Sequence, residues 1–184
     1  MKAAIHQTAF LFAAALLFST QITFAADAAS LKEARPIAAK AVLAPTKDHT
    51  TAGTVTFTQV KGGVKIVADI TGLTPGEHGF HVHEWGDCSA PDATSAGSHF
   101  NPSHEPHGAP DAHYHHAGDF GNVVADQSGN AHYELLDSKI SFTGANSILG
   151  RGIIVHAQKD DLHSQPVGDA GGRVACGVVG VVKP

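Results

Sequence analysis

The sequence predicts an all-β fold, an antiparallel β-sandwich or flattened barrel, and three observations support this prediction. Segments such as 54–58 and 64–70 alternate apolar and polar residues, a period typical of strands with one buried face. Turn-forming groups such as 61–63 and 74–76, rich in Gly and Pro, separate these segments. Almost no stretch has the apolar spacing of an amphipathic helix, so strands and loops must build the domain.

The N-terminus predicts export from the cytoplasm. Lys2 precedes an apolar run at 9–18 that is too short to span a bilayer but has the length of a signal-peptide core. Thr23 and Ala25 are small residues at the two positions that a signal peptidase recognises, so we expect cleavage near Ala25 and a periplasmic or secreted product. The predicted organisation is a signal peptide at 1–25, a flexible Ala- and Pro-rich leader at 26–47 and one folded domain at 48–184.

The chemistry of this chain is predicted from its histidines, of which two lie in one strand-like segment, 79–84. Apolar Phe80 and Val82 alternate there with His81 and His83. Successive side chains of a strand project from opposite faces, so both imidazoles must lie on the same face. One rigid strand can therefore supply two metal ligands at a fixed separation.

Two further clusters complete the pattern. The stretch 86–118 is rich in Gly, Pro, Ser and His without an apolar period, so we predict one long loop. A loop of that length in a compact domain needs a source of order, and metal ligation by His107, His116 and Asp119 would provide it. A short, buried-type strand that ends in His156 supplies the third cluster. Imidazoles suit copper and zinc, and a single carboxylate among them is typical of zinc.

The motifs resemble those of copper/zinc superoxide dismutases over about residues 52–182. The matching segments include G-F-H-V-H-E, S-A-G-S-H-F-N-P, H-G-A-P followed by H-H-A-G-D, I-I-V-H-A and G-G-R-V-A-C-G-V. The resemblance implies an immunoglobulin-like Greek-key β-sandwich or flattened barrel with long metal-binding and active-site loops. It also implies an oxidoreductase that dismutates superoxide to dioxygen and hydrogen peroxide by redox cycling of copper, supported by a structural zinc.

The same resemblance implies a role for each site residue, with one copper and one zinc per subunit. Arg173 would hold the anion beside copper, and together with the bridging His99 it is the expected catalytic residue. Asp160 would tie a copper-ligand histidine to a zinc-ligand histidine, although Asp161 adjoins it. The copper ligands would be His81, His83, His99 and His156, and the zinc ligands His99, His107, His116 and Asp119.

The cysteines and the remaining histidines also allow predictions. Cys88 and Cys176 are the two cysteines, and in an exported chain the default is one intramolecular disulfide. The remaining histidines outside the predicted signal peptide match no ligand position, and we expect them at the surface: His49, His78, His104, His113, His115, His132 and His163.

Charge and composition limit the partners. The net charge of −5 does not favour nucleic acid or anionic membranes, although the expected substrate is an anion. The segment after Asp161 is several residues shorter than in eukaryotic relatives and lacks their lysine and glutamates, so Lys159 is our candidate for steering. The apolar segment 177–182 resembles the edge through which eukaryotic members dimerise, which predicts a homodimer.

A second function uses the same residues: a periplasmic protein that buffers copper and zinc, or donates them, on the same fold. Relatives without activity typically lack copper ligands or the arginine, and here all are present, which favours the enzyme. A superoxide-consumption assay with metal content measured on the same sample separates the two.

Overall fold

The computed structural model describes residues 38–182, and these form nine β-strands with one 3₁₀ turn, Thr94–Ala96. Among the described residues, no helix is long and apolar enough to cross a membrane. The predicted signal peptide and the first part of the leader lie outside this range. The strands are β1 (Ala38–Pro45), β2 (Ala52–Val60), β3 (Gly63–Thr71), β4 (Gly76–His83), β5 (Asp119–Ala125), β6 (Ala131–Asp137), β7 (Gly152–His156), β8 (Arg173–Val178) and β9 (Gly180–Val181).

The strands form one antiparallel sheet in the order β5-β4-β7-β8-β1-β2-β3-β6, with β9 paired to β1. Because β3 pairs with β6 as well as with β2, and β4 with β7 as well as with β5, some connections skip strands and are of the Greek-key type. The two ends of the order, β5 and β6, lie side by side, and the Tyr133 hydroxyl donates to the Phe120 carbonyl between them. The sheet nearly closes into a flattened barrel, which confirms the predicted all-β fold.

The barrel core forms because apolar residues alternate along each strand. In β3, Ile66 and Ala68 are fully buried while Lys65 between the apolar positions is exposed. Phe80 of β4 packs on the rings of Phe120 and Tyr133, with centroids 5.7 Å and 5.4 Å away. These aromatic contacts fix β4 against β5 and β6, so the strand that carries two histidines is rigid.

Strand β4 separates the core from the predicted site. Phe80 and Val82 point into the barrel, and His81 and His83 point to its outer face, as the alternation predicts. Residues 84–118 form the predicted long loop between β4 and β5, and together with 157–172 they cover this outer face. The histidines are therefore buried beneath loops rather than inside the barrel.

The disulfide between Cys88 and Cys176 is present, with Cα atoms 5.8 Å apart, as predicted. It ties the long loop to β8, where Cys176 packs with Ile154, Ala93 and Ala96 in a small apolar cluster under the loop. Closing a chain segment of 88 residues contributes roughly 4–5 kcal/mol in the chain-entropy account. The disulfide thus holds the first third of the long loop against the sheet.

The flexible leader that we predicted up to residue 47 is wrong for residues 38–45, which form β1 in the middle of the strand order. Ala39, Ala41 and Leu43 are buried, while Lys40 and Val42 face outward. The Ala-rich composition concealed this alternation, because alanine fills two of the buried positions and is only a weak apolar signal.

A matched pair of substitutions in β1 tests this correction. Leu43→Ala should lower the free energy of unfolding by about 2–5 kcal/mol, because it removes buried methyl groups and leaves a cavity. Lys40→Ala, on the exposed face of the same strand, should change it by less than about 0.5 kcal/mol. Denaturant unfolding measures both values. Equal, negligible effects would show that residues 38–45 belong to the leader and not to the packed sheet.

Candidate metal centre

Six histidines and one aspartate converge on the outer face of the sheet, and none is more than 6% exposed. These residues form two sets of four. Within each set, every residue places one side-chain nitrogen or oxygen atom within 4.8 Å of the corresponding atoms of the other three. His99 belongs to both sets, so the sets are adjacent. We name the two sets after the metals that the family resemblance implies for them. The copper-side cluster is His81, His83, His99 and His156, and the zinc-side cluster is His99, His107, His116 and Asp119.

Strand ends and a short backbone pairing position these side chains. β4 carries His81 and His83, β7 ends at His156 and β5 begins at Asp119. The loop enters the site where His99 forms an isolated antiparallel bridge with His83, and backbone hydrogen bonds around Phe100 continue this pairing. The bridge extends the sheet locally and brings a loop histidine between strand histidines.

Hydrogen bonds fix the tautomers of two copper-side histidines. His83 Nδ1 lies 3.0 Å from the Gly97 carbonyl, and His156 Nδ1 lies 3.1 Å from the Gly171 carbonyl. Carbonyls only accept hydrogen bonds, so each Nδ1 carries the proton and each Nε2 presents a lone pair. The two Nε2 atoms face each other at 3.4 Å. Two lone pairs at that distance repel unless a cation lies near both, which fits a metal site.

His81 and His99 add two more inward nitrogens. His81 donates from Nε2 to Asp160 Oδ2 at 2.6 Å, and His99 Nδ1 lies 2.8 Å from Asp119 Oδ1. Their other nitrogens, Nδ1 of His81 and Nε2 of His99, are buried without a hydrogen-bond partner. Buried polar atoms are rarely left unpaired, and a metal ion would satisfy both.

Burial keeps the copper-side imidazoles neutral. It lowers the pKa of His81 and of His83 well below the ordinary value, lowers that of His99, and lowers that of His156 to about 4. A neutral imidazole is the ligating form, so these residues need no deprotonation at neutral pH before they bind metal.

The zinc-side cluster surrounds the Asp119 carboxylate. Oδ1 lies 2.8 Å from His99 Nδ1 and 3.2 Å from His116 Nδ1, and Oδ2 lies 3.1 Å from His107 Nδ1. Oδ2 also accepts the backbone N–H groups of Gly108 and His116. Burial alone would raise the pKa of Asp119, but these contacts hold it far below its usual range. The carboxylate is therefore charged and oriented for a cation.

His107 differs from the other histidines. Burial lowers its pKa, but the nearby Asp119 and Asp160 carboxylates outweigh burial and raise the pKa to about 9. Metal binding at Nδ1 would displace that proton, because ligation requires a free lone pair.

Asp160 joins the two clusters. Its Oδ2 accepts from His81 Nε2 at 2.6 Å and its Oδ1 accepts from His107 Nε2 at 3.0 Å. The Asn122 amide fixes the backbone of Asp160 by accepting its N–H and donating to its carbonyl. Asp160 is fully buried, whereas Asp161 is exposed and caps the following turn. The structure thus assigns the bridging contacts to the first of the two neighbouring aspartates.

Arg173 lies at the rim of the copper-side cluster. Its Nη1 donates to the Ala93 carbonyl and its Nη2 to the Gly97 carbonyl, both at 2.6 Å. The Gly97 carbonyl also accepts from His83, so one backbone oxygen orients both a ligand and the guanidinium. Sequence reasoning missed these carbonyls, because their positions depend on the path of the disulfide-bound loop.

A cleft of about 320 Å³ opens onto the copper-side cluster. None of the residues that belong only to the zinc-side cluster lines it, so one cluster faces solvent and the other is closed. The lining residues are His83, Gly97, Ser98, His99, His156, Pro166, Val167, Gly171 and Arg173.

Three sequence expectations about other residues change. His78 and His115, expected at the surface, are 3% and 4% exposed. His78 has the same strand parity as Phe80, a signal that predicts burial, and its ring nitrogens lie 2.8 Å from the carbonyls of Thr74 and His156. Lys159 pairs with Glu77 at 2.6 Å and does not line the cleft, which disfavours a steering role.

These features define a class: a β-barrel metalloprotein with two adjacent sites, one open to a cleft and one closed. Residues 51–179 match the family model for copper/zinc superoxide dismutase, and the chain belongs to this family.

Individual proteins agree with this family membership. The chain is 46% identical to an extracellular superoxide dismutase [Cu-Zn] of Brugia pahangi over 138 residues, which cover 70% of this chain and 69% of the relative. It is 45% identical to a superoxide dismutase [Cu-Zn] of Paramecium bursaria Chlorella virus 1 over 170 residues, 88% of each chain. A solved structure of the clock protein EA4 superimposes with a TM-score of 0.74 at 46% identity, covering 80% of this chain and 96% of that one.

Two substitutions test whether the clusters hold metal independently. His83→Ala should abolish copper retention and leave about one zinc per chain, because His83 lies only in the copper-side cluster. His116→Ala should reduce zinc retention first. Metal analysis of dialysed, folded protein measures both, and equal loss of both metals in His83→Ala would contradict separate sites.

Proposed function

We propose that this chain catalyses the dismutation of superoxide: two superoxide anions and two protons give one dioxygen and one hydrogen peroxide. The observation that carries the proposal is the cleft that reaches the copper-side cluster alone, with a fixed arginine at its rim. In our assignment, His81, His83, His99 and His156 hold copper, and His99, His107, His116 and Asp119 hold zinc. Bound copper supplies reversible one-electron chemistry, which zinc cannot offer.

Arg173 and His99 are the proposed catalytic residues. The Arg173 guanidinium, held by two carbonyls, can hydrogen-bond a small anion in the cleft without moving. Nε2 of His99, a buried nitrogen on the floor of the cleft, would hold copper, and once that bond opens it could carry one proton to the reduced substrate. The closed zinc-side cluster holds the loop and the His99 ring in place.

The same cleft disfavours a protein that only buffers or donates copper and zinc. Such a role needs ligands but has no use for an arginine fixed beside the open side, and here two carbonyls are committed to holding it.

We also propose export, with residues 1–25 as a signal peptide and a periplasmic or secreted mature chain. An intramolecular disulfide suits an oxidising compartment, and one relative is named as extracellular.

A homodimer is proposed on an apolar surface formed by Val42, Trp85 and Val178. These side chains are 66%, 62% and 41% exposed. The segment after Trp85 abuts Val178, since a Cβ at Gly86 would lie 2.9 Å from Val178 Cγ1, and Gly177 approaches the backbone of Val42 in the same way. Exposed apolar side chains on neighbouring segments favour a second copy as their cover.

The test of function is superoxide decay measured on protein loaded with copper and zinc, with metal content determined on the same sample. We expect decay far faster than spontaneous dismutation, in proportion to bound copper. Full loading of both metals without acceleration would leave only the metal-binding role.

Arg173→Ala should lower the bimolecular rate by at least about tenfold at low salt without changing copper content, because it removes the fixed cation at the cleft. Lys159→Gln is the matched control: its charge is already paired with Glu77, so both the rate and its decrease with ionic strength should match the wild type. A large loss in Lys159→Gln alone would reverse this assignment.

The dimer is tested by light scattering after size-exclusion chromatography. The wild type should have twice the mass of one chain, and Trp85→Asp combined with Val178→Asp should give the mass of one chain, because two buried carboxylates would oppose association. Val124→Asp, at an exposed valine on β5, should remain dimeric. A monomeric wild type would overturn the proposal.

A further inference from the structure

One side chain in the cleft segment 161–172 reaches across to the long loop. The Gln165 amide oxygen accepts the backbone N–H of His107 at 2.9 Å, and its amide nitrogen donates to the His107 carbonyl at 2.9 Å. Within the described part of the chain, no other residue of 161–172 hydrogen-bonds to 100–118. The Gln165 side chain therefore pairs with both backbone polar groups of His107, a zinc-side residue, as a neighbouring strand would.

The contact between Gln165 and His107 lies next to the wall of the cleft. Pro166 and Val167, which follow Gln165 directly, line the same cleft as Arg173. Gly168 then turns the chain at φ 73° against Asp160 and His107, where any side chain would collide with both. Pro166 and Val167 are thus fixed between the contact of Gln165 with His107 and the turn at Gly168, which packs against the metal centre.

This contact requires a carboxamide. The His107 backbone offers one donor and one acceptor, and the planar carboxamide of Gln165, with both an N–H and a carbonyl, satisfies the two at once. Alanine would remove both bonds, and glutamate would keep the shape but place a second acceptor against the His107 carbonyl. The same residue, His107, is held at its ring by Asp160 and Asp119.

We propose that Gln165 is a positioning residue that fixes the Pro166–Val167 wall of the cleft to the backbone of His107, so that the shape of the cleft depends on the zinc-side cluster. The proposal rests on the metal assignment above. It gives the short 161–172 segment a structural link to the zinc-side loop that does not use charge.

The test compares Gln165→Ala and Gln165→Glu with the wild type, all loaded with copper and zinc. Zinc release to excess chelator should be roughly tenfold faster in both variants, because two hydrogen bonds to a ligand residue are lost or opposed. Hydrogen exchange at the His107 amide, and at the Gly168 amide that donates to Ser164, should also accelerate. In the wild type, zinc removal should expose the Gly168 amide, and in the variants this response should shrink.

His163→Ala is the matched control, since this exposed neighbour has no side-chain hydrogen bond within the described residues. It should release zinc and exchange amides as the wild type does. Wild-type behaviour of Gln165→Glu would show that only packing matters, and equal acceleration in all three variants would show general loosening; either result overturns the proposal. A wild type that retains no zinc would overturn the metal assignment and this proposal together, whereas zinc retention with unchanged Gln165 variants would overturn the proposal alone.

Discussion

The Asp160 carboxylate, buried between His81 Nε2 and His107 Nε2, is the interaction on which the rest of the centre depends. By accepting the proton of each Nε2, it leaves Nδ1 of each ring for a metal, and the two Nδ1 atoms belong to different clusters. Burial would raise the pKa of Asp160, but the hydrogen bonds from His107 and His81 hold it well below its usual range. A charged, fully buried group of this kind is stable only because both of its oxygens are used.

The fold makes that arrangement possible by giving one strand face to apolar packing and the other to polar groups. Phe80 and Val82 bind β4 to the core, so His81 and His83 are carried on a strand that cannot shift without disturbing the aromatic cluster. β5 and β7 add Asp119 and His156, and the long loop adds the other three histidines. The Cys88–Cys176 disulfide holds this loop, and its position also sets the carbonyls that fix Arg173. The Gly97 carbonyl, for example, orients both His83 and Arg173, so the path of this loop decides the position of both side chains.

Much of this was predictable from local pattern. The alternation at 79–84 predicts both the strand and the shared face of its histidines, and the composition of 86–118 predicts the long loop, because both signals are contained in neighbouring residues. The site residues were predicted from family resemblance, and the structure brings them together in two clusters.

Contacts between distant segments were not predictable. Glu77 neutralises Lys159 from 82 positions away, and nothing near Lys159 signals this. β1 was missed because alanine is a weak apolar signal, and the buried His78 because its strand parity was not weighed against the surface preference of histidine. The sequence predicted Asp160 for the bridging role only through the family resemblance, since the folded loop decides that this carboxylate, and not that of the adjacent Asp161, points inward.

The most direct test of the account is a crystal structure of the copper- and zinc-loaded protein with anomalous diffraction recorded at both metal edges. The geometry predicts copper beside Nδ1 of His81 and Nε2 of His83, His99 and His156, and zinc beside Nδ1 of His99, His107 and His116 and the Asp119 carboxylate. Asp160 should contact neither metal. Copper in the closed cluster, or a metal bound directly to Asp160, would contradict the account.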